Sequence, residues 1–456
     1  MAKTKITYVC SSCGAVHGGW AGKCNACGEW NTIVEQVDVS SKPMANKAVN
    51  SGKALKVEAV KRGTHKTVTN RISVGVSDIN EVLGGGIVPG SIVLIAGQPG
   101  IGKSTLLLQL AYNMAKLKKV LYVSGEESAA QVSLRGERLK AAHDNLMLAS
   151  STSANDIATT IASGEYDVVI VDSVQTISTD EISGIAGSVS QVTNSTQLLT
   201  LASKQSNTAL ILVGHVTKEG SIAGPKLLEH VVDVVLQLEG DRYGGFRVLR
   251  GIKNRYGSTD EAAILEMLDN GLKVVDNPSA SLLEERQQSD GSVVLATLEG
   301  TRPILVEVQA LVNPTSYGYP KRAAAGIDLN RLNLLVAMLE RRTKLKLSDK
   351  DIYINIVGGI KITEPAGDLA ICMAIASAAK GMALKDDAVV FGEVGLSGEV
   401  RHVPWVDKRL AEIKKLGFNS AIGPKTRGNA KTSTILHQVS NVKDALNNYL
   451  QKEGAN

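Results

Sequence analysis

The sequence predicts an α/β chain whose main body is a mostly parallel sheet, preceded by a small metal-bound module and followed by an α+β domain. Three observations predict it. Short apolar runs alternate with helical patterns between residues 70 and 275. A glycine-rich loop joins one of those runs to a helix. Four of the five cysteines fall as two Cys-x-x-Cys pairs within the first 27 residues. A chain of 456 residues exceeds one ordinary core and divides into two or three domains. The boundaries read as 1–35 for the cysteine module, 36–69 for a basic linker, 70–275 for the α/β body, 276–290 for a second linker and 291–456 for the last domain.

The first module reads Cys10-x-x-Cys13, ten intervening residues, then Cys24-x-x-Cys27. Gly14 and Gly28 follow the second cysteine of each pair and permit the tight turns that aim two thiolates at one ion. Four thiolates suit tetrahedral Zn2+ and leave no open position for water, so the role is structural. Iron and a redox dithiol are the alternatives, and His17 is a further donor nearby. So short a module has little core of its own, so the metal would supply its folding energy. In the linker, seven cations from Lys42 to Lys66 face the single acid Glu58. This composition cannot fold alone; it reads either as a plain tether or as one that tracks a polyanion.

In the α/β body the strand-like runs are Ile92–Ala96, Lys119–Val123, Val168–Val171, Ala209–Val213 and Val231–Leu238. The first runs directly into Gly97-Gln98-Pro99-Gly100-Ile101-Gly102-Lys103-Ser104, and a helical pattern opens at Thr105. This is a complete phosphate-binding loop in its proper strand–loop–helix setting. Its glycines let backbone N–H groups turn inward toward phosphate oxygens, and the helix start adds donors. Lys103 is placed to reach the β and γ phosphates of ATP, and Ser104 to ligate Mg2+. Asp172 ends the Val168 run and is the second Mg2+ candidate. Ser124-Gly125-Glu126-Glu127 follows another strand. One glutamate is the candidate general base, Glu126 being favoured over Glu127, with two solvated acids as the bland alternative. His215 and Gln175 end or follow strands too, as nucleotide sensors or as ordinary loop residues.

Taken together, Cys10/Cys13/Cys24/Cys27, the Gly97–Ser104 loop, Asn80-Glu-Val-Leu-Gly-Gly-Gly86 and Lys253-Asn-Arg-Tyr-Gly257 resemble the bacterial RadA (Sms) family of DNA-repair and recombination ATPases. The resemblance spans essentially the whole chain. The family pattern has phenylalanine where Tyr256 stands. The resemblance implies a RecA-like P-loop ATPase core and a homo-hexameric ring. It also implies ATP hydrolysis stimulated by single-stranded and branched DNA, helicase-like extension of recombination branches, and a strand-exchange recombinase as partner. Within a ring, Lys253 or Arg255 reaches a neighbour's nucleotide or faces DNA; the sequence leaves both open. Loops at 176–189 and 218–224 become candidate DNA-facing segments, with Lys218 and Lys226 as phosphate contacts.

The last domain resembles the ATP-dependent Lon protease domain. Where that family places its nucleophilic serine, this chain has Ala366 in Glu364-Pro-Ala-Gly-Asp368. Where it places its lysine base, the chain has Asp407, with Lys408 adjacent. Alanine has no oxygen with which to attack a carbonyl, so the resemblance implies a proteolytically inactive scaffold. Arg322, Lys321, Arg341, Arg342, Lys344 and Lys346 are its candidate cationic face. A helix near Asp328–Arg342 carries the apolar stripe Leu329, Leu332, Leu335, Val336 and Leu339.

The formal net charge of +5 permits an anionic partner without requiring one, and 4% aromatic content favours phosphate contacts over base stacking. No apolar run reaches membrane-spanning length, and the cysteine pattern is not that of a secreted disulfide scaffold, so the setting reads as cytoplasmic with no membrane partner. Three functions compete: a DNA-dependent ATPase motor, an ATP-dependent protease or remodeller, and a nucleotide-switched DNA-binding adaptor.

Overall fold

The computed structural model describes residues 6–10, 15–30, 32–37, 70–216, 222–223, 227–240, 245–287, 289–316, 318–384, 388–426 and 434–452. Cys13, Lys218, Lys226 and all of the basic linker beyond residue 37 lie outside them. The chain forms two compact units, residues 1–64 and 65–456.

The first unit is a three-stranded antiparallel sheet of β1 (Ile6–Cys10), β2 (Val16–His17) and β3 (Ile33–Val37), in the order β2-β1-β3. Its buried cluster is Cys10, Cys24 and Ile33. Two of those three residues are thiols, so the module's buried cluster is built largely from candidate metal ligands.

The second unit opens with the α/β body. Its strands are β4 (Ile92–Gly97), β5 (Val120–Ser124), β6 (Leu146–Ser150), β7 (Val168–Asp172), β8 (Ala209–Val216), β9 (Ile222–Ala223), β10 (Val234–Glu239), β11 (Phe246–Asn254), β12 (Ala262–Leu268) and β13 (Gly271–Val274). The sheet order is β13-β12-β11-β10-β4-β8-β7-β5-β6, with β9 paired to β8. From β10 to β6 every pairing is parallel. Helices Lys103–Ala115 and Ala129–Arg138 contribute to the apolar cluster on one face, and Ala154–Ala162 and Val189–Ser206 to that on the other. Burial on both faces explains why β4, β5 and most of β7 read as unbroken apolar runs.

The expected strand Val231–Leu238 begins later than its apolar run suggested. Leu227–Val231 is a short helix, and β10 starts at Val234. Asp233 makes the break: its Oδ2 accepts a hydrogen bond from the Ile92 N–H (3.1 Å) at the start of β4. The polar stretch 276–290, expected as a linker, contains the helix Pro278–Leu283, capped by the Asn277 side chain and burying Ser279 and Leu282. Proline at the helix start and asparagine before it are helix-initiating signals, not only linker signals.

The last part holds β14 (Ser292–Glu299), β15 (Arg302–Pro314), β16 (Arg322–Ala325), β17 (Lys350–Ile356), β18 (Met382–Leu384), β19 (Ala388–Val390), β20 (Glu393–Val394), β21 (Val400–Arg401), β22 (Ser420–Pro424) and β23 (Leu436–Val439). Seven of them form a mixed sheet in the order β16-β17-β15-β14-β19-β22-β23. Asp328 caps the helix Leu329–Thr343 by accepting from the Arg331 N–H (2.9 Å). Leu332, Leu335, Val336 and Leu339 are buried as the stripe predicts, whereas Leu329, in the first turn, is exposed.

Charged groups lace the α/β body to this last sheet. Arg250 of β11 pairs with Glu299 of β14 (2.7 Å), and Arg302 of β15 pairs with Asp78 (3.0 Å). Deeper in the last domain, the fully buried Arg409 guanidinium donates to both Glu364 oxygens (2.9 and 2.5 Å) and to the Ala296 carbonyl (2.6 Å). Burial pushes the Glu299 carboxyl up to about 7. Arg250 acts against that rise, and Glu239 and Glu364 add to it. An acid raised on folding binds its proton more tightly in the native state, so stability falls as pH climbs from the ordinary carboxylate range to about 7. Glu299→Gln should flatten that part of the curve. Melting temperatures of both proteins between pH 4.5 and 7.5 check this; parallel curves would refute it.

Candidate functional site

Strand order dictates the layout of the cleft. β8 lies between β4 and β7, so the glycine-rich loop and Asp172 emerge two strand spacings apart, about 10 Å, with His215 between them. Gly97 stands directly beside His215 in the β4–β8 register. The loop is formed by glycines that cannot be replaced. Gly100 and Gly102 have φ of 78° and 110°, in the left-handed region, and a Cβ on Gly97 would lie 2.7 Å from the Leu238 carbonyl oxygen.

Pro99, Gly100, Gly102, Lys103, Ser104 and Thr105 line a cavity of 450 Å3 opposite Glu126, Glu127, Asp172 and His215, with Arg135 and Arg138 at one side. Gln98 and Ile101 are not part of that lining: Gln98 contributes its carbonyl to the loop interior, and Ile101 is fully buried. The Lys103 ammonium is buried. It donates to the Gly97 and Gln98 carbonyls (2.9 and 3.0 Å) and lies 3.1 Å from His215 Nδ1. Burial lowers its pKa, and the Asp172 and Glu126 carboxylates oppose that shift. The arrangement gathers a cation, loop N–H groups and a helix N-terminus around a space suited to polyphosphate.

The two glutamates are not equivalent. Glu127 forms an ion pair with Arg135, and its N–H donates to Ser124 Oγ (2.9 Å). Glu126 faces the cleft, accepts from Ser173 Oγ (2.7 Å) and approaches His215 Nε2 at 3.7 Å. Asp172 accepts a 2.5 Å hydrogen bond from the Tyr122 hydroxyl. Burial, then Asp172 itself, raises the Tyr122 pKa well above its ordinary value, so the phenol stays a donor.

Lys253 and Arg255 are not brought to this cleft within one chain. Asn254 pairs with Val234 at the start of β10, whereas Leu238 pairs with Gly97 at its far end, about 13 Å along the strand. The Lys253 ammonium caps the short helix before β10, donating to the Glu229 and Val232 carbonyls. Burial and the neighbouring Arg255 lower its pKa. Arg255 pairs with the buried Asp233 (3.3 Å), while about half of its side chain stays exposed. The segment packs against Gly84: a Cβ on Gly257 would lie 2.8 Å from the Gly84 Cα, and Arg71 donates to the Tyr256 carbonyl (2.8 Å). The two motifs Asn80–Gly86 and Lys253–Gly257 thus form one structural unit.

Curated relatives called DNA repair protein RadA match nearly end to end. That of Halalkalibacterium halodurans is 46% identical over 98% of this chain and 99% of its own. That of Aquifex aeolicus is 44% identical over 98% and 99%, and that of Listeria monocytogenes 46% over 94% and 95%. The chain belongs to the DNA repair protein RadA family. It is an ATP-hydrolysing protein of DNA repair and recombination. The family described as AAA domain matches residues 58–221, rubredoxin metal binding domain matches 8–35, and subunit ChlI of Mg-chelatase matches 333–427. ATP and Mg2+ follow from the ATPase domain. Within the last domain the matched family is that of subunit ChlI of Mg-chelatase.

In the cysteine module, ligand atoms of Cys10, Cys24 and Cys27 lie within 4.8 Å of one another. Cys10 and Cys27 sulfurs are 3.7 Å apart, and His17 Nε2 lies 3.3 Å from Cys24 Sγ. Backbone N–H donation from Cys27 is the largest influence drawing the Cys24 thiol down to about 6. A soft, thiolate-forming donor set of this kind fits Zn2+. The sequence reading missed Tyr122 and Arg135, because neither sits in a motif: one is an aromatic in an apolar strand, the other a cation on a helix. In the last domain Ala366 is buried, and Lys408 donates to the Thr301 carbonyl (3.3 Å) and sits over the Trp405 ring.

Lys103→Ala should abolish ATP hydrolysis, and Asp172→Asn should lower it by roughly 100-fold at saturating Mg2+; steady-state phosphate release checks both. Chelating the metal, or Cys24→Ser, should unfold the N-terminal module while ATP binding persists. Metal content together with nucleotide binding measures that separation.

Proposed function

We propose that this chain is a DNA-stimulated ATPase with a RecA-like core that works as a homo-hexameric ring and drives branch migration of recombination intermediates beside a strand-exchange recombinase. The observation that carries the reading is the placement of Arg255. It stands half exposed on a platform fixed by Asp233, Arg71 and Gly84, at the sheet end away from its own phosphate loop. A ring brings such a residue to the neighbouring subunit's nucleotide, where a guanidinium fork stabilises charge on the transferred phosphoryl group. Lys253, held by two carbonyls, shapes that platform.

Within one subunit, Lys103 and the loop N–H groups hold the triphosphate, Ser104 and Asp172 hold its Mg2+, and Glu126 accepts the proton of the attacking water. When bound there, Mg2+ would supply positive charge against the triphosphate. His215 links Glu126 to Lys103, so nucleotide arrival exchanges protein contacts for phosphate contacts. The domains divide as 1–35, 36–69, 70–275, 276–290 and 291–456, with Cys13 completing four-cysteine Zn2+ coordination. The last is a Lon-like scaffold without protease activity: Ala366 supplies no nucleophile, and Lys408 is engaged elsewhere. Among the described residues no helix is long and apolar enough to cross a membrane, in keeping with a cytoplasmic setting.

The test is ATPase turnover with and without single-stranded DNA, followed by strand extension on a three-stranded intermediate. DNA should raise turnover, and its affinity should fall steeply between low and moderate salt. Arg255→Ala should suppress extension by about 100-fold or more while nucleotide binding survives. Turnover indifferent to DNA would sink the motor reading, and ATP-dependent peptide cleavage would favour a protease.

A further inference from the structure

Tyr122 belongs to no phosphate-loop motif, yet its hydroxyl makes the only hydrogen bond to the Asp172 carboxylate among the described residues. The geometry is fixed by the sheet. Tyr122 and Ser124 lie on the same face of β5, and Ser124 is the register partner of Asp172 on β7. A tyrosine two residues before Ser124 therefore projects its phenol along the strand to the carboxylate next door. Its ring is buried in the same apolar cluster as the phosphate-loop helix, among residues that include Leu106 and Leu110, so it cannot swing away. The phenol occupies Asp172 Oδ2 at 2.5 Å, and Oδ1 of this cleft-lining residue accepts no protein hydrogen bond among the described residues.

We propose that Tyr122 is a positioning residue for the metal of the ATPase site. It pins one oxygen of Asp172 and presents the other to Mg2+. This rests on the reading of Asp172 as a Mg2+ partner. A carboxylate on a single bond rotates. A buried donor aimed at one oxygen removes that freedom before the metal arrives, and outer partners of this kind commonly govern metal affinity by 10- to 100-fold. The phenol suits the task better than a cation would, because it orients the carboxylate without neutralising the charge that the metal needs.

Tyr122→Phe keeps the ring and removes the donor. The measurement is equilibrium binding of a fluorescent ATP analogue while Mg2+ is titrated, with Asp172→Asn and the double variant beside it. The Mg2+ midpoint should rise about tenfold in Tyr122→Phe. Metal-free nucleotide affinity should stay at the wild-type level, and the double variant should be no worse than Asp172→Asn alone. An unmoved midpoint in Tyr122→Phe overturns the proposal. Weakened metal-free binding, early melting, or additive effects in the double variant also overturn it, since each marks the hydroxyl as structural. An unmoved midpoint in Asp172→Asn sinks instead the reading of Asp172 on which the proposal stands.

Discussion

A buried ammonium with no carboxylate in its grasp organises this molecule. Lys103 satisfies its protons on two loop carbonyls beside a histidine ring, while the nearest acids act on it only at longer range. Burying a cation costs several kcal/mol unless it is well solvated by protein groups. The loop carbonyls meet that need, and they can do so only because Gly97, Gly100 and Gly102 let the chain fold back on itself. The cleft is therefore charged and pre-shaped, and a polyphosphate is the partner whose chemistry completes it.

The position of β8 determines what else can reach that cation. By separating the loop strand from the Asp172 strand it opens a gap, and it fills the base of that gap with His215. Glu126 and Glu127, adjacent in sequence, then diverge. Arg135 secures one, and the other is left facing the cleft with Ser173 and His215. At the opposite end of the same sheet, Asp233 ties the start of β4 to Arg255, so the loop strand itself joins the nucleotide cleft to the Lys253–Gly257 platform. A rigid strand held at both ends is a direct physical route by which a change at the cleft reaches that platform.

The last domain is joined to this body by ion pairs, by close backbone contact and by apolar packing that takes Ile264 and Val275 into its own core cluster. Arg250–Glu299 and Arg302–Asp78 cross the junction, and a Cβ on Gly300 would overlap the Asp260 carbonyl oxygen at 1.9 Å. Its interior meanwhile buries Arg409 against Glu364, immediately before the turn that contains Ala366. That pair holds the Glu364 side chain in place at the start of the turn.

The phosphate loop, the paired cysteines and the alternation of strands and helices were legible in the sequence. Each is a local rule: glycine spacing, ligand spacing and hydrophobic period act within a few residues of chain. The local pattern misled at Val231–Leu238, where Asp233 finds a partner far away in sequence, and its polar composition hid the Pro278–Leu283 helix within 276–290. Tyr122 on Asp172, the split between Glu126 and Glu127, and the packing of Gly257 on Gly84 were settled only in three dimensions. Strand order is decided by which long-range pairings bury the most apolar surface together, and no short stretch of chain encodes that choice alone.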